Sequence, residues 1–362
     1  MSLGEKQNYS LKQWPTVVDL FCGCGGVTEG LKRRNFRVVA AIDKDEVACK
    51  TYQINHPRTH LYPLDIKQVN PANIRQDDLN GKDLDLLVVC APCQPFSSQN
   101  RTHKVDKRSD LIFQAVRFAK VLRPSVIFFE NVPGLATKKY KNILDKLREE
   151  LYELCYQLST PISVDAADYG VPQRRKRCIL LAILGTEAPQ LPGPKTPVGE
   201  RMTVRKAIGE MPSLKSGERD PNDSLHYASS HLPIALERLK YIEKDGGSRF
   251  SLPPHLVLEC HKEHDGHGDV YGRMWWDEVA PTLTTGCTDI TRGRFSHPED
   301  DRAITLREAA ILQSFPRSYR FVGTKSQITM QIGNAVPVEL VRALAPTLRL
   351  AIKRARETVR LS

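Results

Sequence analysis

Short apolar runs alternate with helical patterns through the first half of the chain, and this alternation limits the possible folds most strongly. The runs predicted to be strands are 16–21, 37–42, 85–89, 125–129 and 178–183. Helical patterns lie between some of them, at 45–55 and 110–122. Strands that alternate with helices form a parallel sheet covered by helices. Because these strands are apolar throughout rather than at every second residue, we expect burial on both faces and predict an α/β fold.

Prolines at 189, 192, 194 and 197 mark a change in the sequence near residue 188. A proline-rich segment of this kind is typical of a linker or a domain edge. The chain is then irregular to about residue 300, and helical periodicity returns at 305–313 and 338–356. We therefore predict one domain from residues 1–187 and 327–362, and a second, smaller domain from residues 188–326.

The length and composition exclude several classes of protein. A chain of 362 residues suggests two or three domains, at roughly 100–200 residues each. No apolar run approaches ~18 residues, which excludes an ordinary membrane-spanning helix, and the first eight residues lack the apolar core of a signal peptide. Nine scattered cysteines favour a reduced, intracellular protein with free thiols. A net charge of +11 permits a polyanionic partner without naming one.

A glycine-rich cluster, Asp-Leu-Phe-Cys-Gly-Cys-Gly-Gly at 19–26, stands where the first predicted strand turns into a helix. Nucleotides bind at this position of α/β sheets, and glycines let the backbone approach a ligand closely. Asp43 ends the next strand and suits ribose hydroxyls, and Asp65 follows the next short apolar stretch. The cluster does not fit Gly-x-Gly-x-x-Gly, and the chain has no Walker-type Gly-Lys-Ser/Thr. An adenosyl ligand without a pyrophosphate, such as S-adenosylmethionine, therefore fits better than NAD or ATP; the alternative is an ordinary tight turn.

The segment Cys-Ala-Pro-Cys-Gln-Pro-Phe-Ser at 90–97 places thiols at the carboxyl end of the third predicted strand. Three interpretations of these residues remain open: a redox pair, part of a zinc site, and a nucleophile. Cys90 and Cys93 form a C-x-x-C pair that suits the first two, and the cysteines at 22 and 24 could complete the zinc site. Cys260 with the histidines at 261, 264 and 267 forms another metal-like cluster, of no standard spacing. In the third interpretation Cys93 is a nucleophile, which needs an acid and positive charge nearby.

An acid and positive charge both follow in the sequence. Glu130 comes directly after the fourth predicted strand, so its carboxylate is expected at the same edge of the sheet as Cys93. A basic run at 174–177 precedes the fifth predicted strand. A solvated surface patch is the simpler interpretation of that run, but its place between Tyr-Gly-Val-Pro and a strand favours a site.

Five motifs, taken in their order along the chain, resemble those of the cytosine-5 DNA methyltransferases. They are the cluster at 19–26, Ala-Pro-Cys-Gln-Pro-Phe-Ser at 91–97, Glu-Asn-Val at 130–132, Gln-x-Arg-x-Arg at 173–177 and Gln-Ile-Gly-Asn-Ala-Val-Pro at 331–337. The resemblance runs from about residue 16 to residue 345, with a gap across roughly 190–270. It implies a Rossmann-like, S-adenosylmethionine-dependent methyltransferase sheet, with residues 188–326 as a smaller target-recognition domain.

The resemblance implies methyl transfer from S-adenosylmethionine to C5 of a cytosine flipped out of DNA, which leaves S-adenosyl-L-homocysteine. By this likeness Cys93 adds to C6 of the cytosine and makes C5 nucleophilic. Glu130 would contact N3 and the exocyclic amine and stabilise the protonated ring. Arg177 would hold the O2 edge, and Arg175 would support Cys93 and the phosphate backbone.

The resemblance also implies a cofactor pocket. The residues that it assigns to this pocket are Phe21, Cys22, Gly23, Cys24, Gly26, Asp43, Lys44, Asp65, Ile66, Leu111 and Asn334. Asp43 would bind the ribose, Asp65 would meet the adenine amine and Ile66 would pack on the ring. The chain departs from its relatives at Lys44, where some carry an aromatic residue, and at Ala91, where many carry a larger one.

Residues 94–109 resemble the mobile catalytic loop that closes over DNA once the base is extruded. The residues predicted to contact DNA are Gln99, Arg101, Arg273, Thr282, Arg292 and Arg294. Gln99 would fill the vacated base position, and Thr282 belongs to the Thr-Leu element that recognition domains share.

The resemblance further implies a monomer that acts on double-stranded DNA in the bacterial cytoplasm, at the nucleoid, beside a separately acting restriction endonuclease. It implies no metal and no membrane. One alternative is methylation of a cytosine in transfer RNA; those enzymes carry Cys-Phe-Thr in the later region, whereas this chain has Cys287-Thr288 without the phenylalanine. The other alternative is a non-catalytic DNA-binding module, which the presence of nucleophile, acid and cofactor loop argues against.

Overall fold

The structure is a computed structural model that describes residues 14–92, 107–262 and 268–361. Its strands are β1 (Thr16–Leu20), β2 (Arg37–Ile42), β3 (His60–Tyr62), β4 (Leu86–Val89), β5 (Val126–Asn131), β6 (Tyr156–Leu158), β7 (Ile162–Asp165) and β8 (Lys176–Leu184). Its helices are α1 (Gly26–Lys32), α2 (Glu46–Asn55), α3 (Pro71–Asn73), α4 (Gln114–Leu122), α5 (Lys141–Tyr152), α6 (Val204–Ile208), α7 (Pro233–Tyr241), α8 (Leu306–Leu312), α9 (Lys325–Asn334) and α10 (Val338–Leu361). None of the helices in these ranges combines the length and apolar composition needed to cross a membrane.

The strands of the described residues form one mixed sheet in the order β3-β2-β1-β4-β5-β8-β6, with β7 also paired to β8. β1 to β5 pair in parallel with one another, whereas β8 runs antiparallel to β5, β6 and β7. The predicted α/β class is therefore confirmed, but the expectation of a wholly parallel sheet is wrong for the last three strands. The link from β7 to β8 is shorter than the dozen or so residues that a parallel crossover needs, so these strands pair antiparallel.

Most predicted elements appear within one or two residues of their expected ends. β1 stops before Phe21, because Phe21 adopts a left-handed backbone with φ 61°. The α2 helix begins after Asp45, whose side chain accepts hydrogen bonds from two main-chain N–H groups of the first turn. β5 runs two residues beyond its predicted end, so Glu130 lies inside a strand rather than after one.

Burial of the sheet on both faces positions the glycine-rich cluster. Leu86–Val89 of β4 is completely buried, as the absence of alternation predicted. The long α10 helix packs on β5 and β8 and on α1. Gly30 makes the α1 contact close, since a Cβ there would lie 2.7 Å from the carbonyl oxygen of Val338. The helix that follows the cluster is thus fixed between the sheet and the C-terminal helix.

A second apolar core lies outside the sheet. It joins residues between Val204 and Val338 with Cys24 of the glycine-rich cluster. The predicted domain boundary between residues 326 and 327 falls inside α9, and Phe315 and Ile332, on either side of it, share this core. The division into a catalytic domain and a recognition domain at those positions stays a prediction.

Candidate active site

The chain turns sharply after β1, at the carboxyl edge of the parallel strands. Phe21 and Gly23 have left-handed backbones with φ 61° and 52°. A non-glycine residue in this region is uncommon and occurs often at functional sites. A Cβ placed on Gly23 would have nothing within 4 Å, whereas one on Gly25 would collide with His56. The backbone of Gly23 is therefore open to a ligand, whereas the chain is tightly packed two residues later.

Gly26 and Cys24 bind the turn to the segment that carries Asn334. A Cβ on Gly26 would lie 2.5 Å from the carbonyl oxygen of Val336, which excludes a side chain there. The Cys24 thiol donates to the carbonyl oxygen of Gln331 at 3.6 Å, and burial raises its pKa to about 12. These two predicted cofactor residues therefore act through packing, and they bring the exposed Asn334 to the rim of the site. The Cys22 side chain is buried as well, which leaves only its backbone for the cofactor.

Two carboxylates stand at the same rim. Asp43 Oδ2 accepts a hydrogen bond of 2.8 Å from the main-chain N–H of Gly23, and burial raises the pKa of Asp43. Asp65 Oδ1 accepts from the main-chain N–H of Lys67 at 3.0 Å, and this bond lowers the pKa of Asp65. Lys44 Nζ lies 3.5 Å from Asp65 Oδ2, so the two rim residues are joined. Carboxylate oxygens accept more than one donor, so both acids retain capacity for hydroxyl and amine groups.

Arg117, which no motif marks, fixes the backbone beside Asp65. Its Nη2 donates to the carbonyl oxygen of Ile66 at 2.5 Å and its Nη1 to that of Val69 at 2.8 Å. Ile66 is buried in the main core, and Leu111 is partly buried against the same core. Arg117 lies in α4, which follows the turn that carries Leu111, so one stretch of the chain contacts the backbone at Ile66 and carries Leu111, which is predicted to close the pocket. The one sequence signal for Arg117 is a basic residue within an amphipathic helical pattern.

We expect Arg117→Gln to weaken binding of S-adenosyl-L-homocysteine about tenfold and to raise KM for S-adenosylmethionine similarly, with little change in kcat. The physical reason is the loss of two charge-assisted hydrogen bonds that hold the chain beside Asp65. Calorimetric titration and initial rates measure the two quantities. Arg148→Gln, which changes a half-exposed arginine paired with Asp145 on α5, is the matched control. Unchanged affinity in a folded Arg117→Gln protein would contradict this role.

Asp19 is buried beneath the turn with an incomplete set of hydrogen bonds. The Thr28 hydroxyl donates to Asp19 Oδ2 at 2.8 Å and lies 2.9 Å from the hydroxyl of Tyr52. Asp19 Oδ1 has no hydrogen-bond partner in the part of the chain that the structure describes. Burial raises the pKa of Asp19 to about 7. The carboxyl therefore titrates close to neutral pH.

We expect this carboxyl to make the stability of the protein depend on pH. Because the folded pKa of about 7 exceeds the ordinary 3.8, the folded state keeps a proton that the unfolded state has lost, and the free energy of unfolding falls as pH rises through that window. Asp19→Asn removes this titration. The difference in unfolding free energy between the two proteins should change from about pH 4 to about pH 7 and stay constant above it. Urea unfolding across this range measures it, and a difference independent of pH would refute the assignment.

Glu130 and Arg177 form a buried ion pair where β5 ends and β8 begins. Arg177 Nε lies 2.6 Å from Glu130 Oε1, and the two side chains are 10% and 4% exposed. The two side chains form an ion pair, but the angle between them does not suit a hydrogen bond. Glu130 Oε1 and Arg177 Nε therefore have no hydrogen-bond partner within the described ranges. Buried polar atoms are normally satisfied, so this pair retains capacity for a ligand. The antiparallel register of β5 and β8, with Asn131 opposite Cys178, brings the two charges together.

Asn131 joins this pair to the strand end that precedes Cys93. Its Nδ2 donates to the carbonyl oxygen of Ala91 at 3.2 Å, and its Oδ1 accepts from the main-chain N–H of Val132 at 2.9 Å. Cys93 itself, with Gln99 and Arg101, lies outside the described residues. The roles predicted for these three residues stay predictions.

Arg175 is enclosed rather than presented to DNA. Its guanidinium donates to the carbonyl oxygens of Leu283 at 3.0 Å and Gly333 at 2.8 Å, and the residue is 3% exposed. Gln173 is fully buried beside it and accepts from the main-chain N–H of Leu283 at 3.0 Å. The structure does not support the predicted contact of Arg175 with the phosphate backbone, because an enclosed guanidinium cannot reach a phosphate. Arg175 instead ties the Thr-Leu element and α9 to the start of β8.

Two other arginines predicted to contact DNA also bind groups within the protein. Arg273 is completely buried, pairs with Asp301 and donates to main-chain carbonyl oxygens, including that of Leu239 at 2.8 Å. The structure contradicts Arg273 as a DNA contact, because no part of this side chain is exposed. Arg294 is 11% exposed at its side chain and pairs with Asp269 at 2.9 Å, which leaves it little surface for DNA.

Thr282 and Arg292 remain at the surface. The Thr282 hydroxyl donates to the carbonyl oxygen of Arg174 at 2.6 Å, and the Arg292 side chain is 71% exposed. The structure leaves both available to a partner. Their predicted contacts with DNA stay predictions.

The cysteines outside position 93 differ in burial and in their neighbours. Within the described ranges, no group of three or more His, Cys, Asp or Glu residues is placed to hold a metal. Burial raises the pKa of Cys24, Cys49 and Cys287 to about 12, which disfavours the thiolate form that binds metals and attacks substrates. Cys260 is exposed, and the histidines at 264 and 267 lie outside the described residues.

Comparison with known proteins assigns the family. The C-5 cytosine-specific DNA methylase family model matches residues 15–349. The chain is 39% identical over 339 residues to the Type II methylase M.HgiDII of Herpetosiphon aurantiacus, which covers 92% of this chain and 94% of that protein. It is 33% identical over 367 residues to the Type II methyltransferase M.XorII of Xanthomonas oryzae pv. oryzae, covering 94% and 86%. A solved E. coli prophage protein described as a DNA modification methyltransferase superposes with a TM-score of 0.73 at 25% identity, covering 94% and 99%.

The α/β sheet, with its glycine-rich turn and a buried acid–arginine pair at one edge, is that of a methyltransferase. More narrowly, the chain belongs to the C-5 cytosine-specific DNA methylase family, since the family model and both relatives span nearly all of it. The resemblance of the five sequence motifs is thereby confirmed.

Proposed function

We propose that this protein transfers a methyl group from S-adenosylmethionine to C5 of a cytosine flipped out of a specific duplex DNA sequence, through a covalent bond between Cys93 and C6. The observation that carries this proposal is the buried Glu130–Arg177 pair with its unsatisfied atoms. A flipped cytosine presents N3, an amine and O2 along one edge, and enzymes read such a base by hydrogen bonds to that edge. A carboxyl group beside a guanidinium is complementary to these three positions.

The residues divide the chemistry between them. The Cys93 thiolate adds to C6, and the electron pair of the C5–C6 double bond becomes available at C5. Glu130 stabilises the protonated N3 as this happens, and Arg177 favours the charge that collects at O2. The bound cofactor supplies an electrophilic methyl group to C5. A base then removes the C5 proton, the double bond re-forms and the Cys93 sulfur leaves.

The rim around Gly23 fits S-adenosylmethionine. The open space at the Gly23 backbone is a place where any side chain would stand in the way of a bound group. Asp43 and Asp65 offer acceptor oxygens to hydroxyl and amine groups, and their negative charge disfavours a pyrophosphate at the same place. Asp43 would then hold the ribose and Asp65 the adenine amine, with Phe21, Ile66 and Leu111 as apolar walls.

The Type II designations of the relatives support a place in a restriction–modification system. In that setting the protein would methylate the double-stranded sequence that a separate endonuclease otherwise cuts.

Bisulfite sequencing of plasmid DNA from cells that express the protein tests the proposal. We expect protection of the cytosine at one position of a single short sequence and of no other cytosine. In parallel, purified protein with labelled S-adenosylmethionine is offered duplex DNA or transfer RNA. Label in transfer RNA alone would replace the proposed substrate, and label in neither would refute the proposed function.

A further inference from the structure

An open groove of about 710 Å³ lies between the loop that follows Leu283 and the start of α9. Hydroxyl groups dominate its lining, with threonines from the loop and from α9 and serines at 229 and 326. Two cations, Lys325 and Arg292, and the imidazole of His231 complete it, with Asp289 as its acid. The groove is therefore rich in hydrogen-bond donors and carries a net positive charge.

Lys325 is held with its ammonium group at this groove. Its Nζ donates to the Ser229 hydroxyl and to the carbonyl oxygen of Thr288 at 3.3 Å. An ammonium has three N–H donors, so one is left for a further acceptor. Burial lowers the pKa of Lys325, which means that its present surroundings do not fully replace the water it has lost. An anion in the groove would compensate for that loss.

The Arg292 side chain packs over Gly286 at the groove. A Cβ on Gly286 would lie 3.1 Å from Cγ of Arg292, so a side chain at position 286 would crowd the arginine. Asp289 Oδ2 lies 3.9 Å from Arg292 Nε, a distance for a loose ion pair but too long for a hydrogen bond. Asp289 Oδ1 accepts instead from the main-chain N–H of Thr291 at 2.9 Å. The guanidinium, 71% exposed at its side chain, therefore has most of its donors available.

His231 adds an N–H donor, and a main-chain hydrogen bond determines which ring nitrogen carries the proton. Its Nε2 accepts a hydrogen bond of 3.1 Å from the main-chain N–H of Ala303. A neutral imidazole that accepts at Nε2 carries its proton on Nδ1, so Nδ1 is a donor. Nδ1 has no hydrogen-bond partner among the residues that the structure describes. Three different nitrogen donors thus line one groove.

We propose that this groove binds a phosphodiester group of the DNA backbone through Lys325, Arg292 and Nδ1 of His231. The inference rests on the proposed function, which supplies duplex DNA as the ligand. Cationic and hydroxyl donors around one space are the groups that bind phosphate oxygens in protein–DNA contacts. The loop begins at Leu283, whose backbone Gln173 and Arg175 hold against the start of β8, so the groove is fixed relative to Arg177. A phosphate bound there would join this loop to α9 and set the register of the duplex.

Salt-dependent binding to a duplex that contains the methylated sequence tests this site in the full-length protein. We expect Lys325→Met and Arg292→Gln each to weaken binding about tenfold and to reduce the slope of log affinity against log salt by about 1. Fluorescence anisotropy at several salt concentrations measures both quantities. Lys353→Met and Arg354→Gln, which change exposed residues of α10, are the matched controls and should keep the wild-type slope.

Duplexes with single neutral methylphosphonates identify the phosphate. One substituted position should weaken binding of the wild type and have little further effect on Arg292→Gln. If inorganic phosphate competes at the groove while no methylphosphonate position matters, the groove is a free-anion site and the proposal is overturned.

Other outcomes separate this inference from the proposed function. A wild-type salt slope in Arg292→Gln overturns the groove as a phosphate site, and this variant decides the matter even if Lys325→Met fails to fold, because the Arg292 side chain is exposed. Methyl transfer by the wild type is then still observed. If the wild type neither binds nor methylates duplex DNA, it is the proposed function that fails.

Discussion

Cys93→Ala is expected to abolish methyl transfer, with a loss of at least about 10⁴-fold in kcat, because the proposed mechanism makes C5 nucleophilic only through the bond between Cys93 and C6. Binding of duplex DNA and of S-adenosyl-L-homocysteine should persist, since neither depends on the covalent bond. A duplex with 5-fluorocytosine at the target position gives a second readout. Its C5 carries no hydrogen to remove, so the wild type should remain covalently attached and Cys93→Ala should not. Denaturing gel electrophoresis separates the covalent protein–DNA complex from free protein.

Cys260→Ala is the matched control for this prediction, because Cys260 is an exposed cysteine within the described residues. It should retain wild-type activity and covalent trapping. Residual transfer by Cys93→Ala within about tenfold of the wild type would exclude the covalent mechanism. Trapping that persists in this variant would assign the nucleophile to another cysteine.

Glu130→Gln is expected to lower kcat by about 10²–10⁴-fold, the usual contribution of an acid that stabilises a protonated reacting group. A glutamine keeps the size and a carbonyl oxygen but cannot share a proton with N3 of the base. It also leaves the Arg177 guanidinium, 2.6 Å away and largely buried, without a counter-charge, so some loss of stability is expected as well. Single-turnover rates with saturating DNA and cofactor measure the chemical step apart from binding.

Thermal unfolding and the affinity for DNA are measured on the same Glu130→Gln protein to separate chemistry from folding. Glu149→Gln, on the exposed side of α5, is the matched control and should be neutral in every assay. A folded Glu130→Gln enzyme that retains its single-turnover rate within about threefold would remove Glu130 from the mechanism.

Local features of the fold could be predicted from the sequence because their causes are local. The β2 and β4 strands are continuous apolar runs, and the α2 helix begins where Asp45 can cap it. The glycine-rich turn could be predicted for the same reason, since Gly23 adopts a backbone that other residues rarely take. The ends of the elements were less certain, because tertiary packing extends β5 through Glu130.

The antiparallel half of the sheet and the support of the cofactor rim could not be predicted in this way. The antiparallel pairing of β5 with β8 joins residues that are distant in the chain, and no pattern within either strand marks its partner. Arg117 reaches the carbonyl oxygen of Ile66, 51 positions away, and main-chain carbonyl oxygens are the same at every residue. No residue type in the sequence therefore marks that contact.

The sequence by itself determined the family, because five motifs in their order along the chain are enough to identify it. Tertiary structure alone decided which arginines are exposed to solvent and so available to a binding partner. Arg273 and Arg292 are the same residue type in the same irregular region, yet Asp301 and several main-chain carbonyl oxygens enclose the first and leave the second exposed. Burial depends on contacts between residues distant in the chain, and removing a guanidinium from water is tolerated only where such partners are assembled. For that reason the family could be predicted from the motifs, whereas the exposure of individual arginines could not.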